Sequence, residues 1–164
     1  MANIDNKCKD LEITDFYKER NYNKENSSLG DLYHLQGITQ KMYFDKQHKP
    51  RFSDMNIGQL IDFLMINNHA IIDELHELTD AVGGIADGVG NAAWKPWKSK
   101  NKDIRSKNLS DLSDDDLKEL KMEFIDIMHF VFNIGLAIGI DEKEIYNYYL
   151  SKNKENWNRA NSGY

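Results

Sequence analysis

The sequence predicts an all-α protein, a bundle of four or five helices, on three observations. Apolar residues recur at helical spacing in several long stretches, and no stretch keeps the strict alternation of a half-buried strand. The chain also holds only two prolines, Pro50 and Pro96, which leaves those stretches free to be helical. At 164 residues it suits one domain with a single core, and 40% hydrophobic residues make that core feasible.

The elements follow in order. Residues 1–28 are polar, rich in Asn, Lys, Glu and Asp, and read as an arm or accessory helix; residues 29–164 form the domain. A first helix carries Leu32, Leu35, Ile38 and Met42 and is broken at His48-Lys49-Pro50-Arg51. A second runs over about 57–82 with Leu60, Ile61, Leu64, Ile71, Leu75 and Leu78 inward, and Gly83-Gly84 is its stop. About 30 residues without strong periodicity follow, through Trp94-Lys95-Pro96-Trp97-Lys98 to Ser113; a connection that long is usually functional or mobile. The acidic turn Asp114-Asp115-Asp116 opens a third helix that reaches about Ile138. Asp141 caps a fourth that reaches about Arg159.

Composition excludes several classes. With 21 Lys and Arg against 27 Asp and Glu the net charge is -6, which argues against binding nucleic acid by phosphate neutralisation. The single cysteine, Cys8, excludes a disulfide scaffold and fits a reducing, cytoplasmic setting. The first residues contain no apolar run of the secretory kind. The apolar stretch 124–140 carries Asp126, His129 and Asn133, so it reads as a core helix and not as a membrane span.

The chemistry is concentrated on two helices. Glu74, Glu77 and Asp80 follow at i, i+3 and i+6, and Glu74 borders the stripe of Ile71, Leu75 and Leu78. In the third helix Glu123, Asp126, His129 and Asn133 form a narrow polar strip among apolar residues. A carboxylate in such a setting is costly to bury unless it is paired or binds metal. Two E-x-x-[DE] pairs on facing helices would bring four carboxylates to one point, a hard-oxygen cage for Mg²⁺ or Mn²⁺. His129 reads as a core histidine or one that supports the cage. On the last helix Ile145, Tyr148 and Tyr149 continue into Lys152, Asn156 and Arg159 on one face, two cations for phosphate and an amide for a base edge. Trp94, Trp97 and Lys98 add aromatic surface and a further cation.

Together these segments resemble the dimeric all-α dUTPase family, within the MazG-type nucleotide pyrophosphohydrolases, over about 29–164. The resemblance rests on E-x-x-E-x-x-D at Glu74, Glu77 and Asp80, on E-x-x-D at Glu123 and Asp126, and on the Trp94–Lys98 loop. It also rests on K-x-x-x-N-x-x-R-x-x-x-G-Y at Lys152, Asn156, Arg159, Gly163 and Tyr164, and on the early Leu35-Gln36. Departures are Ala160 in place of the usual glutamine and Thr39-Gln40 in place of L-N. So compact a version is similar to phage-encoded members. The resemblance implies a bundle completed by homodimerisation, and Mg²⁺-dependent hydrolysis of dUTP, with dUDP a further substrate, to dUMP and pyrophosphate. It implies that Glu74, Glu77, Glu123 and Asp126 hold the metal, with Mn²⁺ a substitute, while one of the second-helix glutamates, Glu77 ahead of Glu74, orients or deprotonates the attacking water. Lys98, Lys152 and Arg159 would hold phosphates, Asn156 would read the uracil, and Gln36, Asp80 and Trp97 would line the substrate site. The rivals are a dCTP pyrophosphohydrolase of the same fold and a non-catalytic helical interaction module.

Overall fold

The computed structural model describes residues 28–82 and 94–163, and every regular element among them is helical. Four long helices carry the fold: α1 (Ser28–Gln47), α2 (Ile57–Val82), α4 (Asp114–Ile138) and α5 (Glu142–Asn161). A single-turn helix, α3 (Lys102–Ser106), lies between α2 and α4, so the connection expected to be irregular is partly helical. The expected stop at Gly83-Gly84 and all of the expected arm, residues 1–28, except Ser28 lie outside the described residues; Ser28 opens α1 instead.

Local chemistry sets the helix ends. Asn56 and Gln59 exchange side chain to backbone bonds of 3.0 and 2.9 Å, which satisfies two of the free N–H groups that open α2. Ser113 caps α4 by accepting from the Asp116 N–H at 3.1 Å, while its hydroxyl donates to the Asp116 carboxylate at 2.7 Å. Asp141 and Glu144 form the same reciprocal box at the start of α5. Gly139 ends α4 at φ 76°, a left-handed conformation that suits glycine, and the chain then turns by 105° into α5. His48, at φ 53°, ends α1. The edge-to-face rings of Phe44, Phe52 and Phe63, 4.9–5.9 Å apart, tie that end to α2.

The main packing is α2 against α4, with α1 laid on α4. The pair is antiparallel, because Glu74 meets Asp126 while Asn67 meets Asn133 about two turns further on. Its buried positions are mostly polar: Asn67 on α2 and Asp116, Glu123 and Asn133 on α4, with Ala81 on α2 the apolar one.

Two apolar stripes lie elsewhere than the sequence pattern suggested. On α1 the buried side chains are those of Tyr33, Gln36, Gln40 and Phe44, one or two positions along from the expected stripe, and Leu32 is half exposed. The two glutamines hold the inward face because α1 packs on the polar strip of α4. On α5, Tyr148 and Tyr149 are exposed, not packed, since the turn after Gly139 carries that helix away from the α2–α4 pair. Ile61 and Leu75, expected inward on α2, are also about half exposed. No single helix among the described residues is long and apolar enough to cross a membrane.

Tyr33 anchors α1 where α4 ends. Its hydroxyl donates to the Ile140 carbonyl at 2.7 Å, and its ring meets Phe132 edge-on at 5.6 Å. Gly135 makes room for it: a Cβ there would lie 2.7 Å from the Tyr33 hydroxyl and 3.3 Å from Ile140. Gly135→Ala should therefore destabilise the fold by about 1–3 kcal/mol in urea denaturation. Tyr33→Phe removes the oxygen that the methyl would strike. The double variant should lose measurably less than the sum of the singles, and strict additivity would contradict this contact.

Candidate active site

Glu74 of α2 and Glu123 and Asp126 of α4 each direct a carboxylate oxygen to one point, with those oxygens within 4.8 Å of one another. Phasing explains the convergence. Glu74 lies about two turns from the buried Asn67 on the same side of α2, and Glu123 and Asp126 are one turn apart on α4. Glu123 is only 7% exposed, and Glu74 and Asp126 are half-buried.

Like charge under partial burial shifts the balance at Glu123. Its carboxyl is pushed up to about 7, first by burial, then by the charge of Glu77, by a hydrogen bond with Glu119, and by the charges of Glu119 and Glu74. Three oxygen donors of this kind suit a hard divalent cation such as Mg²⁺ or Mn²⁺, whose charge would relieve the repulsion. Three of the four expected cage residues thus meet. The fourth, Glu77, is exposed and close enough to act on Glu123 through its charge. Glu119 was not singled out from the sequence, although its i, i+4 spacing to Glu123 was a usable sign.

The remaining expected residues stand outside this three-carboxylate cluster. Asp80 is exposed near the end of α2. Gln36 is 8% exposed and its amide is fully engaged: Nε2 donates to Asn133 Oδ1 at 2.7 Å, and Oε1 lies 2.7 Å from His129 Nδ1. Lys98 and Trp97 are exposed, and Trp97 meets Trp94 edge-on at 5.9 Å. On α5, Asn156 is exposed. Lys152 and Arg159 both pair with Glu155, Lys152 at 2.8 Å, so the two cations are held side by side along one helix face. A cavity of about 450 Å³ opens beside the last turns of α2, with Leu78, Val82, Trp94 and Ile104 as apolar wall and Arg105 and Lys107 as cations. Those two cations had no distinguishing sequence pattern.

An all-α chain with carboxylates from two packed helices focused on one point offers the hard-oxygen donors that a divalent cation takes. Comparison with known proteins gives the family. The chain is 37% identical over 124 residues to a dCTP pyrophosphatase of Enterobacteria phage LZ5, covering 73% of this chain and 72% of that one. It is 33% identical over 109 residues to the dCTP pyrophosphatase of Enterobacteria phage T4, of which it spans 64%. A phage T4 DNA replication protein matches at 32% over 99 residues, a quarter of its own length. The chain belongs to this phage family of nucleotide pyrophosphohydrolases. No family model and no solved structure matches it.

The raised pKa of Glu123 gives a pH dependence of definite sign. Below about pH 4.5 this group is protonated in both the folded and the unfolded chain, and its contribution to stability is fully present. Between about 4.5 and 7 the folded chain holds a proton that the unfolded chain has lost, so stability falls as pH rises and the contribution is gone above 7. The thermal midpoint of the metal-free protein should fall from pH 5 to pH 8. Glu123→Gln should flatten that slope, and an unchanged slope in the variant would contradict the assignment.

Proposed function

We propose that the protein hydrolyses a pyrimidine deoxynucleoside triphosphate to the monophosphate and pyrophosphate with Mg²⁺, or Mn²⁺ in its place. The observation that carries this reading is the convergence of Glu74, Glu123 and Asp126 in a chain related to phage dCTP pyrophosphatases. The names of those relatives favour dCTP. The terminal segment from Lys152 to Tyr164, with Asn156 between two cations, favours dUTP through the resemblance it carries.

The three converging carboxylates hold the cation, and Glu77 stands beside them. A bound divalent ion neutralises phosphate charge and acidifies water near it. Glu77, exposed and not part of the converging set, would orient the attacking water and take its proton. Lys152 and Arg159 meet the phosphates, for which the triphosphate competes with Glu155. Arg105 and Lys107 line the cavity beside the last turns of α2 and add cations there, and Asn156 is assigned to the base through the resemblance.

A pyrophosphate-release assay over dCTP, dUTP, dTTP and UTP, with and without Mg²⁺, tests the reading. Release from dCTP or dUTP that requires the metal is expected. Glu77→Gln and Asp126→Asn should each lower turnover by at least ~10²-fold while leaving the helical signal intact. Wild-type-like rates in either variant would sink the carboxylate site, and no release from any nucleotide would leave the non-catalytic module as the better account.

The same reading includes a homodimer. Met65 and Ile66 on α2, Phe124 and Val131 on α4, and Tyr149 and Trp157 on α5 are each about half exposed or more. A second copy is the partner that would cover helices so apolar on their outer sides. Light scattering at micromolar concentration should give about twice the 19.1 kDa chain mass, and a stable monomer would count against it.

A further inference from the structure

Four side chains from α1, α2 and α4 form one continuous hydrogen-bonded chain through the core. Asn67 Nδ2 donates to the Phe63 carbonyl at 2.8 Å, and Asn133 Nδ2 donates to Asn67 Oδ1 at 3.1 Å. Gln36 Nε2 donates to Asn133 Oδ1 at 2.7 Å, and Gln36 Oε1 lies 2.7 Å from His129 Nδ1.

The direction of this chain is not a free choice. A backbone carbonyl only accepts, so the Asn67 atom that meets Phe63 must be its amide nitrogen. Asn67 then offers its oxygen to Asn133, Asn133 its oxygen to Gln36, and Gln36 its oxygen to His129. An oxygen at the last link requires a hydrogen on His129 Nδ1. The neutral ring therefore carries its proton on Nδ1 and keeps a lone pair on Nε2.

The three amides are 3–8% exposed, whereas His129 is exposed. The relay is closed at the Phe63 end and open at the histidine. His129 also continues the strip of Glu123 and Asp126, one turn beyond the acidic centre. Apolar side chains would fill the same core without the need to satisfy every donor and acceptor, so three buried amides in one directed line are a device that fixes the far ring.

We propose that this relay locks His129 as the Nδ1–H tautomer so that its Nε2 lone pair accepts a hydrogen bond from a neutral donor on the nucleoside part of the substrate. The inference rests on the reading that a nucleotide binds at the acidic site. The donor is a hydroxyl of the sugar or an N–H of the base, and both present the same chemistry to Nε2. Gln36 is then a positioning residue that acts through His129. In this arrangement it supports recognition of the nucleoside without touching it.

Two measurements on the full-length protein test this. Two-bond nitrogen–proton correlation spectra of imidazole-labelled protein at pH 8 should show His129 protonated on Nδ1 and bare on Nε2. In Gln36→Met the ring should revert toward the Nε2–H form. A wild-type ring protonated on Nε2 overturns the relay, whatever the enzyme hydrolyses. His129→Asn then separates the two nitrogens, because its amide can still donate to Gln36 but nothing replaces Nε2. It should lower kcat/KM about 5- to 10-fold on nucleotides that carry the donor.

Three substrates identify that donor. The loss should vanish with dideoxycytidine triphosphate if it is the 3′-hydroxyl, with dUTP if it is the cytosine amino group, and with dCTP if it is the uracil N3–H. An equal loss on all three, or none on any, overturns the contact. A wild-type protein that hydrolyses no nucleotide but shows the Nδ1–H ring overturns the functional reading and the contact, while the relay itself stands.

Discussion

The structure depends on one constraint: α2 and α4 pack antiparallel with polar side chains turned inward. Asn67 and Asn133 bond at 3.1 Å at one end, and Glu74, Glu123 and Asp126 converge about two turns away. A one-residue slip would rotate these side chains by about 100° and leave buried amides and a buried carboxylate without partners. The polar contacts therefore set the register that apolar packing alone would leave loose. The cost of holding like charges together is visible at Glu123, whose carboxyl is pushed up to about 7. A divalent cation would supply the counter-charge, so in the proposed account the contacts that define the fold also build the cation site.

Around this pair the other elements divide their roles. α1 closes the amide chain through Gln36, and Tyr33 ties it to the end of α4 through the space that Gly135 leaves. The segment from Trp94 to Lys107 forms an aromatic and cationic wall beside the last turns of α2. α5 turns away after Gly139 and carries two cations bound to Glu155. Lys152, Glu155 and Arg159 are surface groups, so their mutual attraction is weak and gives way to a multiply charged phosphate chain. In the proposed reaction that exchange of one anion for another brings α5 to the substrate.

Much of this was legible in the sequence. The extents of α2 and α4 match those that helical spacing predicts, and Asp141 marks the start of α5. The carboxylates stood out because Glu123 and Asp126 interrupt an otherwise apolar helix, and three of the four expected residues meet. Periodicity failed where the buried face is polar. Counting apolar residues on α1 selects Leu32, Leu35, Ile38 and Met42, whereas the inward face holds Gln36 and Gln40 between Tyr33 and Phe44. The α5 stripe misled for a different reason. Ile145, Tyr148 and Tyr149 have helical spacing, but the 105° turn before them is a tertiary fact that spacing does not encode.

The central claim is that Glu74, Glu123 and Asp126 form a cation site between α2 and α4. Crystals of the protein grown with Mn²⁺ and measured near the manganese absorption edge test it most directly. The account predicts an anomalous peak among these three carboxylates, within coordination distance of an oxygen from each. Manganese found only on exposed acids such as Asp114 or Asp115, with this centre empty under saturating ion, would contradict it.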